Sequence, residues 1–226
     1  MVQLVAGVHE IEQAANLISA AERLILPSRW ECRMNLDVQS ISGPWDVGFS
    51  LDRHVLHSSF TGDNEYGHPT FDTTRTDIGE ALFQLKYRSD FSQVPIIAQQ
   101  IHIALGATFQ SASFVIPMPP SRHRHRQPVA ELARAVAENF NIPCIENLLI
   151  KTGQTPQMKD IPDRDEKVRA LRGSLQICDV LGDGVFDALI VDDLFDSGAS
   201  LEAVTLELRG YAKIGKVLVA AVTRKR

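Results

Sequence analysis

One stretch constrains this chain more than any other: Leu189-Ile190-Val191-Asp192-Asp193-Leu194-Phe195-Asp196-Ser197-Gly198-Ala199-Ser200. The apolar run from Ala188 to Val191 reads as the end of a fully buried strand. Two adjacent carboxylates stand at its mouth, a turn of small residues follows, and Ser200 is placed to cap the next helix. A strand end, an acid pair, a tight turn and a helix start together suit a sugar phosphate. Turn amides and a helix N-terminus can hold a phosphate, and paired carboxylates can accept hydrogen bonds from two neighbouring ribose hydroxyls. A bare Val-Asp-Asp would be read as an acidic loop on an ordinary α/β sheet. The full run is more specific, because Gly198 leaves room for close backbone approach and the hydroxyls of Ser197 and Ser200 flank it.

The rest of the chain supplies a frame for such a site. Ser113–Pro119 reads as a strand ending in prolines, and Pro128 opens a helix whose buried stripe is Val129, Leu132, Ala133, Val136 and Phe140. Cys144–Ile150, Phe186–Leu194 and Lys216–Val222 read as three further strands, with a helix over about Ser200–Tyr211 joining the last two. Strands alternating with helices predict an α/β fold with a mostly parallel central sheet, right-handed crossovers and helices on both faces. Ligands in such sheets bind beyond the carboxyl ends of the strands. Upstream, helices are predicted near Asp77 (with Ile78, Ala81, Leu82 and Leu85 on one face) and over Gln93–Leu105. Trp45–Leu51 and Val55–Phe60 read as a hairpin turning at Asp52-Arg53-His54, with 62–76 as a loop, and His9–Leu26 as an amphipathic helix. The organisation expected is therefore 1–75, a helix and hairpin forming a hood, and 76–226, the α/β core.

Composition bounds the setting. The chain has 226 residues, 44% of them hydrophobic, enough for one domain with a sizeable core. A net charge of −5 argues against general coating of nucleic acid while leaving room for a local basic groove. No apolar run would span a bilayer, and the start lacks the pattern of a secretory signal. Three cysteines, Cys32, Cys144 and Cys178, lie too far apart in sequence for a zinc knuckle or a disulfide framework. A reducing cytoplasm is the expected compartment.

The run from Leu189 to Ser200 resembles the phosphoribosyl pyrophosphate (PRPP) loop of type I phosphoribosyltransferases, with Phe195 bulkier than the aliphatic residue usual there. Three other segments resemble the ComF family of phosphoribosyltransferase-like proteins: Leu85-Lys86-Tyr87-Arg88, Ile116–Pro120 followed by the basic loop Ser121–Gln127, and Lys151–Gln157 followed by Arg164 and Leu171–Leu175. The likeness runs from about Leu82 to Arg224. The sequence carries no cysteine-rich segment of the kind with which ComF members often begin. Only His125-Arg126-Gln127 echoes the family's Arg-Gly-Phe-Asn-Gln stretch, and Ala170 stands where many members have Asn.

The resemblance implies a type I phosphoribosyltransferase fold, a Mg²⁺-dependent transfer of 5-phosphoribosyl from PRPP to a nitrogen acceptor of unspecified identity, and a set of roles. Asp192 and Asp193 would hold the ribose hydroxyls and, indirectly, Mg²⁺. Asp196 would stand as a general base. Asp196, Ser197, Gly198, Ala199 and Ser200 would wrap the 5′-phosphate. Arg122, Arg124 and Arg126, with Lys86 and Arg88 from the hood side, would meet the pyrophosphate. Lys151–Glu166 would be a mobile loop with Gln157 and Arg164 as its functional members. Each has a plainer alternative: the arginines as a solvated basic loop, Lys86 as a surface charge, Lys151–Glu166 as an ordinary exposed loop. His123 and His125 make a poor metal pair at i, i+2 between arginines. Two rival functions stay open: a non-catalytic PRPP-sensing module that binds single-stranded DNA through the arginine loop, and a scaffold in which residues 1–75 form a partner or homodimer interface.

Overall fold

The computed structural model describes residues 34–120, 124–153 and 163–225. The expected helix over His9–Leu26, together with Cys32, Arg122, His123 and Gln157, lies outside them. A five-stranded sheet forms the centre, in the order β1 (Gln39–Ser40), β2 (Val47–Arg53), β9 (Ile214–Arg224), β8 (Phe186–Phe195), β5 (Phe114–Pro117). All neighbours are parallel except β1 and β2.

Burial on both faces explains why the strands read as unbroken apolar runs. Leu189 and Val191 of β8, and Leu218, Ala220 and Val222 of β9, face one layer of helices: α1 (Asp77–Tyr87), α2 (Gln93–Leu105) and α3 (Pro128–Phe140). Ala188 and Ile190, with Val217, Val219 and Ala221, face α5 (Ala199–Arg209) on the other side. The expected class, α/β with a mostly parallel sheet between helices, is the one observed. Among the described residues no helix is long and apolar enough to cross a membrane.

Helix ends follow local chemistry. Thr76 caps α1, its Oγ1 accepting the Gly79 amide at 3.0 Å and donating to the Arg53 carbonyl at 2.7 Å, so the start of α1 is tied to the end of β2. Gly79 sits against the His54 carbonyl so closely that a Cβ there would collide with it. Pro128 stands in the first turn of α3, and Asn141 ends that helix in the left-handed conformation at φ 54°.

The amino-terminal reading needs two corrections. β2 does not form a hairpin with Val55–Phe60; it pairs in parallel with β9 inside the central sheet. The hairpin is instead β3 (Val55–Asp63) with β4 (Pro69–Arg75), so the second half of the expected 62–76 loop is a strand. Gly67 and Pro69 drew attention to a turn that does exist, at Asn64–His68, and hid the polar strand behind it. Cys144–Ile150 is likewise not a strand of the main sheet. Cys144 makes a single parallel bridge to Val115, and only Leu149–Lys151 (β6) is extended, pairing antiparallel with Leu175–Ile177 (β7).

Phe195, the bulky departure from the usual loop pattern, packs edge-on against Trp45 with ring centroids 6.2 Å apart. Trp45 is buried and donates its indole N–H to the Ile41 carbonyl at 2.8 Å. Trp45→Ala is expected to lower stability by about 3–5 kcal/mol in urea unfolding. A loss below about 1 kcal/mol would show that this corner is not part of the cooperative core.

Candidate functional site

The chain leaves β5 through α3 on one face and leaves β8 through α5 on the other. The two strands are neighbours whose connections diverge, which opens a crevice beyond their carboxyl ends. A cavity of about 560 Å³ lies there. Met118, Pro119 and Pro120 continue β5 into its wall, and Asp192, Asp193 and Leu194 bring β8 into it.

The period-two alternation of β8 assigns its two acids to different surroundings. Asp192 is buried and accepts the Asp193 amide on Oδ1 at 2.8 Å. Burial, together with the neighbouring Asp193 charge, pushes the Asp192 carboxyl up to about 7, against the opposing pull of the Asp193 amide and Lys86. Asp193 follows Val191 towards the layer that contains α1, and Lys86 in the last turn of α1 reaches its Oδ2 at 2.7 Å. Behind Asp193, the buried Thr223 donates to its backbone carbonyl at 3.2 Å and lies 3.4 Å from His54 Nδ1. Burial first, then the charges of Arg75 and Lys86, hold His54 below the usual imidazole range.

Two arginines of the basic loop are described, and they part company. Arg124 lines the cavity and donates to the Lys86 carbonyl at 3.1 Å, one of the carbonyls a helix end leaves without an intrahelical partner. Arg126 is committed elsewhere: it makes a two-pronged contact with Glu131 at 2.9 and 3.1 Å and lies 3.8 Å over the Phe91 ring. It is not among the cavity-lining residues.

The turn after β8 is built around Gly198, at φ +77°. This residue, not Ser200, is the N-cap of α5, which corrects the expected cap; Ser200 sits inside the first turn and lines the cavity. Asp196, Ser197, Gly198 and Ala199 lie beyond the cavity wall itself. Asp196 is exposed and paired with Lys225 at 2.8 Å. Arg164, the first residue of α4 (Arg164–Arg172), holds the turn from outside, with Nε 3.4 Å from the Ser197 carbonyl and Nη2 2.5 Å from Glu202 Oε2. A trans peptide points its carbonyl and the following N–H in opposite directions. The contact to the Ser197 carbonyl therefore turns the Gly198 amide away from Arg164.

Sequence reasoning did not assign several residues of the wall: Tyr87, Gln127, Lys151, Ser174 and Leu171. Tyr87 and Lys151 stand inside segments the sequence does single out, one beside Lys86 and the other at the start of 151–157. Thr223 and His54 carry no local signal, since only the register of β8 on β9 brings Thr223 to Leu194.

No family model matches the chain, and no curated protein sequence matches it. Solved structures similar to it include adenine phosphoribosyltransferase from Saccharomyces cerevisiae, at 12% identity over 75% of this chain and 83% of that one, with a TM-score of 0.43. Adenine phosphoribosyltransferase from Thermoanaerobacter pseudethanolicus is similar at 12% identity over 74% and 94%, with a TM-score of 0.40. Leishmania donovani UMP synthase is similar at 13% identity over 72% of this chain but only 28% of its own, with a TM-score of 0.35.

Two outcomes follow from the site's physics. A carboxyl raised to about 7 keeps its proton in the folded state where the unfolded chain has lost it. Its contribution to stability is full below the unfolded value near 3.8 and is lost as pH rises through about 7. Asp192→Asn is expected to raise the melting temperature by several degrees at pH 8 and to change it little at pH 4; an equal effect at both pH values would contradict the assignment. Gly198→Ala forces a side chain into the left-handed region and places its Cβ 2.9 Å from the Phe195 ring. A cost of about 1–2 kcal/mol in chemical unfolding is expected, and a neutral substitution would show that the turn is not held as described.

Proposed function

We propose that the chain binds PRPP in the crevice between β5 and β8 and transfers its 5-phosphoribosyl group to a nitrogen nucleophile, releasing pyrophosphate. The observation that carries this reading is the meeting of Asp192, Asp193, Lys86, Arg124 and Ser200 on one cavity at the strand switch point. The layout agrees with that expected of a type I phosphoribosyltransferase, the resemblance carried by the Leu189–Ser200 run.

In this reading the two carboxylates receive the ribose hydroxyls and the turn at 196–200 receives the 5′-phosphate at the positive end of α5. Transfer breaks the bond from ribose C1 to the diphosphate oxygen, and the electron pair leaves with the diphosphate. The lone pair of the acceptor nitrogen forms the new C1–N bond. C1 gains oxocarbenium character on the way, and the carboxylates of Asp192 and Asp193 offset that positive charge. Lys86 and Arg124 present cations to the departing diphosphate. Asp196 is the candidate base for the proton the nitrogen sheds, and it must give up its Lys225 contact to act. The expected loop Lys151–Glu166 is shorter than read from the sequence, since Lys151 ends β6 on the cavity wall and Arg164 opens α4 beside the phosphate turn; the stretch between them is the part proposed to close over the site.

The donor set suits Mg²⁺ as a shared ion. Asp192 and Asp193 supply hard oxygen ligands, and among the described residues no cluster of three or more His, Cys, Asp or Glu side chains would hold a metal alone. The two aspartates would hold the ion together with substrate oxygens and water. Bound there, Mg²⁺ would supply charge stabilisation for the leaving diphosphate.

The single-stranded DNA reading draws less support. Arg126 is paired with Glu131 and stacked on Phe91, and Arg124 lines the cavity.

With PRPP, Mg²⁺ and a pool of nitrogenous metabolites, the chain should release pyrophosphate. The double variant Asp192→Asn, Asp193→Asn should lower that release by at least about a hundredfold. Undiminished release from the double variant would contradict the assignment.

A further inference from the structure

Lys86 stands between two groups that compete for one ammonium. Its Nζ lies 2.7 Å from Asp193 Oδ2, and the two side chains are only 23% and 17% exposed, so water screens the pair poorly. The rest of the residue is fixed. Its backbone belongs to the last turn of α1, and its carbonyl accepts from Arg124 at 3.1 Å. What can move is the four-carbon stem, a flexible carrier of a point charge. The same cavity wall holds Asp192, Arg124 and Ser200.

The pair has a consequence for ligand choice that rests on the PRPP reading above. In the state described Lys86 sits on Oδ2 of Asp193, so a ribose hydroxyl that approaches that oxygen competes with the ammonium for its lone pairs and its space. A ligand with a diphosphate on C1 offers Lys86 a polyanion in exchange. Ribose 5-phosphate has only a hydroxyl at C1, so any loosening of the ion pair that its hydroxyls bring about goes without a compensating anion for Lys86.

We infer that Lys86 is an exchange residue that makes the grip of Asp193 on the ribose hydroxyls conditional on a 1-diphosphate. It is a specificity determinant: it selects diphosphorylated ribose over ribose 5-phosphate by guarding Asp193 until the diphosphate arrives. The exchange moves one ammonium between two anions and makes or breaks no covalent bond. Two features of the fold permit it. The alternation of β8 directs Asp193 towards the α1 layer, and the Thr76 cap with the close seat of Gly79 fixes where the far end of α1 delivers its lysine. A sequence with the same acid pair but without a cation at position 86 would have an open Asp193 and weaker discrimination.

The test is calorimetric titration of the full chain with Mg²⁺, using PRPP and ribose 5-phosphate as separate ligands, on wild type, Lys86→Met and Lys86→Arg. Wild type should prefer PRPP by at least about a hundredfold. Lys86→Met should weaken PRPP by about tenfold or more while ribose 5-phosphate binds several-fold tighter, so the preference collapses; weaker PRPP with ribose 5-phosphate unchanged would make Lys86 a plain diphosphate contact and overturn the exchange. Lys86→Arg, which keeps the charge, should stay within about threefold of the wild-type preference. A purely structural role for Lys86 would weaken both ligands together. Lys86→Met with the wild-type ratio would overturn the exchange while leaving the PRPP reading intact. Wild-type protein that takes up neither ligand would overturn both.

Discussion

The structure depends on holding two adjacent carboxylates at the end of a strand that is buried on both faces. Ala188–Val191 is fully enclosed between two helical layers, and the chain then commits a pair of acids to the next two positions. Unpaired buried charge is costly, and the two residues meet that cost differently. Asp192 accepts the next residue's amide and holds a proton up to near neutral pH; Asp193 takes Lys86 from α1. The strand alternation separates the solutions, since successive side chains face different layers. The mouth of the crevice therefore holds one carboxyl that keeps its proton and one that is ion-paired, side by side.

The surrounding elements serve that arrangement. β5 and β8 diverge to open the crevice, β9 backs Asp193 with Thr223, and α1 brings Lys86 across. Arg124 closes the end of α1, while Arg164 and Glu202 brace the turn at Gly198 from behind. Trp45 and Phe195 lock the far side of the same turn to the start of β2. Few of these contacts would touch a ligand, and together they hold the groups that would.

Much of this was legible in the sequence because the core obeys simple periodicities. Parallel strands buried on both faces read as apolar runs, and Leu132, Ala133 and Val136 mark α3 at helical spacing. The acid pair stands out because a buried apolar run leads into it and the small turn Ser197-Gly198-Ala199-Ser200 follows; a bare Val-Asp-Asp carries no such signal. The amino-terminal region misled for a physical reason: β2 alternates because Gly48 and Ser50 interrupt its apolar positions, which imitates a half-exposed hairpin strand, although β2 pairs with β9 from the other end of the chain. The polar β4 has few apolar residues because the β3–β4 ribbon is largely exposed, so it lacked any core signal. Long-range partners such as Thr223 and Glu202 belong to register and layer packing, which no local pattern encodes.

The most direct test of the central claim is a crystal structure of the chain with PRPP and Mg²⁺ at saturating concentration. Ligand density is expected in the crevice between β5 and β8, with the ribose hydroxyls on Asp192 and Asp193, the 5′-phosphate on the amides around Gly198, and Lys86 moved from Asp193 to the diphosphate. A crevice left empty, or a ligand bound elsewhere with the Lys86–Asp193 pair intact, would contradict it.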